Sequence, residues 1–225
     1  MKTLTRANSI LFLLILGCIT GFAQDAKPSA ESRVPGLVEV IESEKLEHSS
    51  YSNSYFGLRL TIPEGWEVQD DSVKKAIMER GRQLIKADDA QKQAQLDQSV
   101  SNTAILLTLL KTPVVPENRA SLMVAIERIP NYPSYTPVRY LTNLKTILAN
   151  YSKVKVTVEK DIRSEMVNGV PFVALDVLSL NERLRFHQKY FCRLQQGYAL
   201  CFIETYESEP QLAALNNLLA GLSIK

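Results

Sequence analysis

Four polar side chains that could share a ligand are predicted to fall in one row near the C-terminal end of the sequence. Residues 154–206 have the pattern of a four-strand meander with two-residue turns at Asn168-Gly169, Asn181-Glu182 and Gln196-Gly197. The register that these turns impose aligns Asp161, Asp176, His187 and Tyr206. Neighbours in such a row lie about 5 Å apart, so two of them could share an ion or a hydrogen bond. This polar row is the predicted ligand site; the alternative is a solvated end of a sheet, where the Asp and His charges offset each other.

No other constellation of catalytic or metal-binding residues is evident in the sequence. The two histidines, His48 and His187, are far apart, and there is no close-spaced set of His and Cys ligands for zinc. A Gly-x-Ser-x-Gly elbow, a phosphate-binding glycine loop and a dinucleotide fingerprint are also missing. We therefore expect no metal and no cofactor. A binding function is favoured over catalysis, with an ion-dependent enzyme built on the polar row as an alternative.

The first 23 residues have the pattern of an export signal. Lys2 and Arg6 form a basic segment, Ile10 to Leu16 is an unbroken apolar run, and Gly21-Phe22-Ala23 supplies small residues for cleavage. The apolar run is too short for a membrane span, which needs about 20 residues. We expect cleavage after Ala23 and a periplasmic or secreted protein.

A lipoprotein signal is the alternative interpretation of the same segment. Ile15-Leu16-Gly17-Cys18 resembles a lipoprotein cleavage box, in which Cys18 would carry the lipid and anchor the protein to the envelope. Leu16 is bulkier than the residue usual at that position, so the pattern of small residues favours Ala23. Contact with a membrane is expected only if Cys18 is lipidated.

The charge of the mature chain argues against nucleic-acid binding. Removal of residues 1–23 takes away two of the 26 basic residues, Lys2 and Arg6, and leaves 24 against 24 acidic ones. Acidic and basic side chains are interspersed, as on an ordinary solvated surface. We therefore expect an envelope protein or a small ligand as partner, and no nucleic acid.

Cys192 and Cys201 are predicted to form a disulfide. They are the only cysteines left after cleavage, and export delivers them to a compartment where thiols oxidise. Around the turn Gln196-Gly197 they lie opposite each other in a pair without mutual hydrogen bonds, whose Cα atoms approach to about 4.5 Å. The same register sets Lys189 against Glu204, whereas a three-residue loop would set Lys189 against Ile203.

Residues 24–36 are predicted to be a disordered leader and residues 37–225 a single domain. Within the domain, Ser72 is the expected N-cap of a first helix whose apolar stripe ends at Ile85. Residues after Lys86 favour helix by propensity but offer little for packing. That tail is therefore expected to project and to be cleaved easily between Asp88 and Asp97.

Two further helices have clear start signals. Thr136 is the predicted cap of the second, with Pro137 in its first turn, and the third starts at Ser208 or Glu209, with Pro210 in its first turn.

Strands fill the intervals between these helices. They are predicted from Tyr55 to Ile62, from Ala104 to Lys111, from Leu122 to Ile129 and across the meander. The apolar face of the meander consists of Ile162, Val173, Leu175, Tyr190, Leu194, Ala199 and Ile203. The opposite face carries Phe172, Phe191 and Phe202, the expected floor beneath a helix. The predicted fold class is α+β, with an antiparallel sheet sandwiched by helices and a C-terminal meander followed by a helix.

The segment from Tyr51 to Trp66 resembles the N-terminal signature of PsbP-like proteins. It has an aromatic-glycine turn at Phe56-Gly57, an alternating strand as far as Ile62, and then Pro63-Glu64-Gly65-Trp66. The later order of helices and strands is similar to that family over residues 45–225. The resemblance implies an antiparallel sheet between helical layers, in proteins that act mainly as binding or assembly modules of the lumen or envelope. The signature residues themselves are expected to shape the fold and not to form a site.

Overall fold

The computed structural model describes residues 34–84, 87, 89–113, 119–129, 135–151, 154–180 and 185–225. The predicted signal peptide, with Cys18 and Ala23, and most of the predicted leader lie outside these residues. The strands are β1 (Glu44–Glu47), β2 (Ser50–Asn53), β3 (Leu58–Thr61), β4 (Trp66–Val68), β5 (Thr103–Lys111), β6 (Ser121–Arg128), β7 (Lys155–Val167), β8 (Val170–Leu180), β9 (Arg185–Gln195), β10 (Tyr198–Tyr206) and β11 (Leu222–Ile224). The helices are α1 (Leu37–Ile41), α2 (Asp71–Leu84), α3 (Ala90–Ser101), α4 (Pro137–Tyr151) and α5 (Glu209–Leu219). The α+β class is confirmed.

A seven-stranded antiparallel sheet forms the centre of the domain, in the order β4-β5-β6-β10-β9-β8-β7. One of its faces packs against α2, α3 and α4, and the core on this side includes Ile77, Val100 and Leu144. The other face packs against α1, α5 and a small sheet of order β1-β2-β3-β11. One covering layer is thus part sheet and part helix, whereas the sequence predicted helices alone.

The predicted helices α4 and α5 begin where their caps place them. The backbone N–H of Arg139 donates to the Thr136 hydroxyl at 3.2 Å, and Ser208 precedes α5 as its N-cap. The cap predicted for α2 is wrong by two residues. Asp70, not Ser72, caps this helix, because its Oδ1 accepts the backbone N–H groups of Ser72 and Val73 at 2.9 and 3.1 Å.

The predicted projecting tail is a separate helix, α3. It has its own cap, since Asp89 accepts the backbone N–H of Lys92 at 2.9 Å. The first half of α3 is largely exposed, as expected for the tail, but Leu96 and Val100 are 4% and 5% exposed and belong to the core. These two apolar residues are one turn apart, which is enough to hold the second half of the helix on the domain.

Register within the meander departs from the prediction at one turn. The β9–β10 pairing is as predicted, with Cys192 opposite Cys201 and Lys189 opposite Glu204. Between β8 and β9, however, Asp176 lies opposite Lys189 and not opposite His187. Leu180 pairs with Arg185, so the register is displaced by two residues from the prediction, and the predicted turn residues Asn181 and Glu182 lie outside the described residues.

A displacement of two residues leaves every side chain on its predicted face. The predicted apolar face is therefore confirmed: its seven residues belong to the core beneath α2, α3 and α4. The phenylalanine row is buried on the opposite face, where Phe172 lies 5.5 Å from Phe202 and 6.2 Å from Phe191 between ring centroids. Its covering layer contains α5, as predicted, together with the small sheet.

The predicted disulfide is present between Cys192 and Cys201, whose Cα atoms are 4.2 Å apart. Both cysteines are buried in the core on the α4 side of the central sheet. The bond therefore joins β9 to β10 inside the domain and is not on its surface.

The residues of the aromatic-glycine turn shape the fold, as expected. Gly57 has φ +60°, and a Cβ there would lie 2.6 Å from the main-chain oxygen of Lys225. The side chain of Phe56 is fully buried and stacks edge-on against Tyr55 and Tyr198. The turn thus holds the C-terminal strand and plugs the end of the central sheet.

The end of the predicted leader is part of the folded domain. Val34 packs against the core, and a Cβ on Gly197 would lie 2.8 Å from its side chain. The Tyr198 hydroxyl donates to the carbonyl of Pro35 at 2.5 Å. One valine and one accepting carbonyl therefore fix residues 34–36 on the β9–β10 turn.

None of the helices in the described part of the chain is both long enough and apolar enough to span a membrane.

Candidate functional site

The structure divides the polar row between the two faces of the sheet. Asp161 lies on the α4 side of β7, whereas Asp176 belongs to a cluster of ion pairs on the opposite face and His187 stacks on Tyr206 beside that cluster. Two causes separate them: the displaced β8–β9 register, and two bulges in β7 between Val158 and Arg163. The predicted meeting of Asp176 with His187 is therefore wrong.

Asp161 lies outside the row because of the β7 bulges. Its carboxylate accepts two hydrogen bonds of 2.9 Å from the Nζ of Lys145 on α4 and one of 2.7 Å from the backbone N–H of Ile162. These bonds, first the one from Lys145, hold the pKa of the exposed Asp161 carboxyl below its usual value. Asp161 therefore fastens the bulged part of β7 to α4.

Asp176 is the centre of a group that we call the ion network. Its members alternate in charge: Lys160, Asp176, Arg163, Glu165, Lys189 and Glu204. Arg163 donates to both oxygens of Asp176 at 3.1 Å and to Glu165 at 2.7 Å, and Lys189 lies 2.5 Å from Glu165. Because the charges pair with one another, Asp176 is already occupied by protein partners.

Glu204 differs from the other members of the ion network. Its side chain is fully buried, and neither carboxylate oxygen has a hydrogen-bond partner among the described residues. Burial raises the pKa of Glu204 to about 8, although the nearby charge of Lys189 acts in the opposite direction. At neutral pH the carboxyl is therefore mainly protonated.

His187 and Tyr206 form a stacked pair at the edge of the ion network. Their rings are 5.1 Å apart between centroids and inclined by 12°, and His187 Nδ1 lies 2.6 Å from the Glu159 carboxylate. Burial, together with the carboxylates of Asp176 and Glu159, raises the pKa of the Tyr206 hydroxyl. A tyrosine in this setting stays protonated and cannot act as a base near neutral pH.

An open groove runs between α4 and β7, and we call it the α4–β7 groove. Its helical side is formed by Val138, Thr142, Lys145, Thr146, Ala149 and Asn150, and its strand side by residues 161–164. The hydroxyls of Thr142 and Thr146 donate to the helix carbonyls of Val138 and Thr142 at 2.8 and 3.0 Å. With these hydroxyls engaged, methyl groups and the Lys145–Asp161 ion pair form much of the surface.

The ion network and the α4–β7 groove differ in what they can bind. Within the described residues, no three His, Cys, Asp or Glu side chains are grouped to hold a metal ion. Most of the ion network is half-buried or buried, and its ion pairs join β7 to β8 and β9, so it stabilises the meander. The α4–β7 groove is open to solvent and presents both apolar and paired charged groups, which is the composition of a surface that binds a partner.

Sequence reasoning missed the residues that Asp161 and Asp176 contact. Lys145 lies on an exposed part of the predicted helix, and nothing in its spacing indicates a bond to residue 161. Arg163 and Glu165 are two apart on a predicted strand and so share a face, a signal that could have placed them beside the predicted Lys189–Glu204 pair.

Comparison with known proteins finds similarity at the level of solved structures. No protein-family model and no curated protein matches the chain. One matching structure is the solution structure of cyanobacterial PsbP (CyanoP) from Synechocystis sp. PCC 6803, with 11% identity over 89% of this chain and 98% of that chain and a TM-score of 0.46. Another is the crystal structure of LpqN, involved in cell envelope biogenesis of Mycobacterium tuberculosis, with 13% identity over 75% and 83% and a TM-score of 0.41. The first is a PsbP protein, the family that the segment from Tyr51 to Trp66 resembles. Both TM-scores lie below 0.5, and neither similarity assigns a ligand or an activity to this chain.

Proposed function

We propose that this chain is an exported protein of the cell envelope that acts by binding another protein, and that the α4–β7 groove is its contact surface. The single observation that carries the proposal is the form of this groove, which is open and long. It follows one side of α4 from Val138 to Asn150 and is bounded by the outermost strand of the central sheet. An open, extended surface suits a polypeptide better than a small molecule, which is normally enclosed on most sides.

Two features support export. The signal-like segment precedes a domain whose two cysteines form a buried disulfide, and structural disulfides persist in oxidising compartments. Lipidation of Cys18 would add a membrane anchor and leave the groove unchanged, so the lipoprotein alternative concerns attachment and not binding.

The polar row gives the enzymatic alternative little support. An ion-dependent enzyme on this row needs Asp161, Asp176 and His187 to converge, but Asp161 lies on the other face of the sheet and Asp176 is paired with Lys189 and not with His187. Asp176 would also have to give up the two hydrogen bonds that it accepts from Nη2 of Arg163 to bind an ion.

A photo-crosslinking residue at Thr142 tests the binding surface. Thr142 is exposed in the groove, whereas Ser223 is exposed on the small sheet and serves as the matched control position. In cells that produce the protein naturally, we expect a discrete crosslinked protein from position 142 and none of that mass from position 223. Equal crosslinking from both positions, or none from position 142, would contradict the proposal. Mass spectrometry of the same purified protein should show an N-terminus at Gln24 or a lipid-modified Cys18.

A further inference from the structure

Beside the α4–β7 groove, the outer edge of β7 carries main-chain groups that no strand pairs with in the part of the chain that the structure describes. We propose that the partner binds there as an added β-strand, an extended segment that hydrogen-bonds to Ser164 and Met166 and lays apolar side chains into the groove. This inference rests on the proposed function, since it names the form in which the partner protein occupies the same surface.

The register of the β7–β8 hairpin determines which main-chain groups are free. Asn168 and Gly169 have φ values of 45° and 80°, so they form a two-residue turn with Val167 and Val170 as its closest pair. That closest pair exchanges hydrogen bonds, and alternate pairs along the strands do so in turn. Met166 and Ser164 therefore belong to the pairs that exchange none, and their N–H and C=O groups point away from β8.

Pro171 supports this assignment. It lies opposite Met166 and has no N–H to donate, so it fits a position whose main-chain nitrogen faces away from β7. The free groups of Ser164 and Met166 also lie on the strand side of the groove, because Ser164 lines it.

The first part of β7 is closed to an added strand. Two register shifts between Val158 and Arg163 interrupt the regular spacing of its main-chain groups. The backbone N–H of Ile162 is already taken by the carboxylate of Asp161 at 2.7 Å. Bulges are a usual means by which proteins protect an edge strand, and here both the bulges and the Asp161 bond stop before Ser164.

Side chains beside the unprotected part are unusually exposed for their type. Met166 is 63% exposed, and Val138, which lines the groove together with Ser164, is 50% exposed. Met166 is two residues after Ser164 and lies on the same face of β7. We therefore expect the added segment to place an apolar side chain against Val138 and Met166.

A second copy of this chain is a poor occupant of the edge. A two-fold antiparallel pairing through Ser164 and Met166 has its centre at Glu165, which would face the Glu165 of the other copy directly. Directly opposed like charges destabilise a strand pair. The occupant is thus a segment of a different protein, and the exposed Val138 and Met166 require it to be apolar on the side that faces α4.

The free main-chain groups can be tested without a ligand. Amide hydrogen exchange of the full mature protein, followed by NMR, should be fast at Ser164 and Met166 and slow at Arg163 and Glu165. Slow exchange at Ser164 and Met166 would show that these groups are already engaged and would overturn the inference.

Strand addition itself is tested with ten-residue peptides selected by phage display on the mature protein. We expect the selected peptides to lose at least tenfold in affinity for Ser164→Pro, because proline removes the donating N–H at this outer-edge position. Ser164→Ala keeps that N–H and loses only the side-chain hydroxyl, so its affinity should fall clearly less than that of Ser164→Pro. Met166→Pro repeats the test at the second free position, in case Ser164→Pro does not fold.

Each outcome separates the inference from the proposed function. Failure to select peptides, or equal affinity for Ser164→Pro and Ser164→Ala in folded proteins, would overturn strand addition. If crosslinking from Thr142 persists in Ser164→Pro, the proposed function is supported and only the added strand is contradicted. Absence of crosslinking from Thr142 in the parent protein would instead contradict the proposed function.

Discussion

Glu127 and Glu204 are two buried carboxylates with opposite surroundings. Glu127 is 2% exposed and accepts hydrogen bonds from Ser99 and, at 2.9 Å, from the hydroxyl of Tyr140. Glu204 is fully buried and has Lys189 as its nearest opposite charge, but neither oxygen has a hydrogen bond among the described residues. A buried carboxylate without hydrogen bonds is stable only when it carries a proton, and this makes Glu204 a titrating group of the folded state.

Glu204→Gln is expected to change how the free energy of unfolding depends on pH. The folded protein keeps the Glu204 proton up to about pH 8, whereas the ordinary value for an unfolded chain is 4.5. Unfolding between these values releases a proton, so the free energy of unfolding of the parent protein falls as the pH rises from 4.5 to 8. Because glutamine cannot ionise, Glu204→Gln should remove this decrease in the free energy of unfolding. Urea titrations at pH 5 and pH 8.5 measure the free energy of unfolding of both proteins. Between these two pH values, the stability of the variant relative to the parent should rise by at least about 1.4 kcal/mol, the value of one pKa unit. The matched control Glu64→Gln, at an exposed position, should give a curve parallel to the parent's; a parallel curve for Glu204→Gln would contradict the prediction.

The disulfide is expected to contribute to stability through the unfolded chain. Cys192 and Cys201 close a short loop around the β9–β10 turn, so the double substitution Cys192→Ala/Cys201→Ala should lower the free energy of unfolding by about 2–3 kcal/mol. Urea denaturation measures this loss, and excess reductant should lower the parent protein to the same stability. Two free thiols on the unfolded, unreduced mature protein would refute the bond itself.

Alanine substitutions at two glycines with positive φ distinguish the cost of the backbone conformation from the cost of a steric clash. A Cβ at Gly57 would lie 2.6 Å from the Lys225 oxygen, whereas a Cβ at Gly169 would meet nothing within 4 Å. Gly169→Ala should therefore cost only the unfavourable conformation, about 1–2 kcal/mol. Gly57→Ala should cost at least about 1 kcal/mol more, because β11 must move away from β3. Equal losses in urea denaturation would mean that the contact between the turn and the C-terminal strand contributes nothing.

Elements with strong local signals were predictable, and those set by distant contacts were not. The two-residue turns at Asn168-Gly169 and Gln196-Gly197 gave correct local pairings, because each has a glycine at its second position, where φ is 80° and 84°. Asn181-Glu182 has no glycine, and the pairing of β8 with β9 beside it is displaced by two residues. The β7 bulges leave no mark in the sequence, yet they separate Asp161 from Asp176 and so decide that the polar row is not formed. The three-residue strands β4 and β11 were also missed, since their pairing depends on partners far along the chain.

The end of the predicted leader holds one end of the whole domain. Val34 and Pro35 contact the β9–β10 turn, and Arg128 donates to the carbonyl of Val34 at 3.4 Å. A mature chain shortened to begin at Leu37 should therefore melt at least about 3 °C lower than the parent, because Tyr198 loses its partner and apolar surface is exposed. A chain that begins at Ala30 is the matched control and should have the same melting temperature as the parent. Identical melting temperatures for both chains would show that residues 34–36 contribute nothing.

The pairing of β11 with β3 controls when the small sheet is completed. During synthesis β1, β2 and β3 leave the ribosome early, but the last strand of their sheet arrives only with Leu222–Ile224. Pairing over such a sequence separation is slow compared with local contacts, so the small sheet is completed only after the whole chain is available. For a chain exported as proposed, the strand that completes the small sheet is also the last to leave the secretion channel, so this sheet closes in the compartment where Cys192 and Cys201 can oxidise.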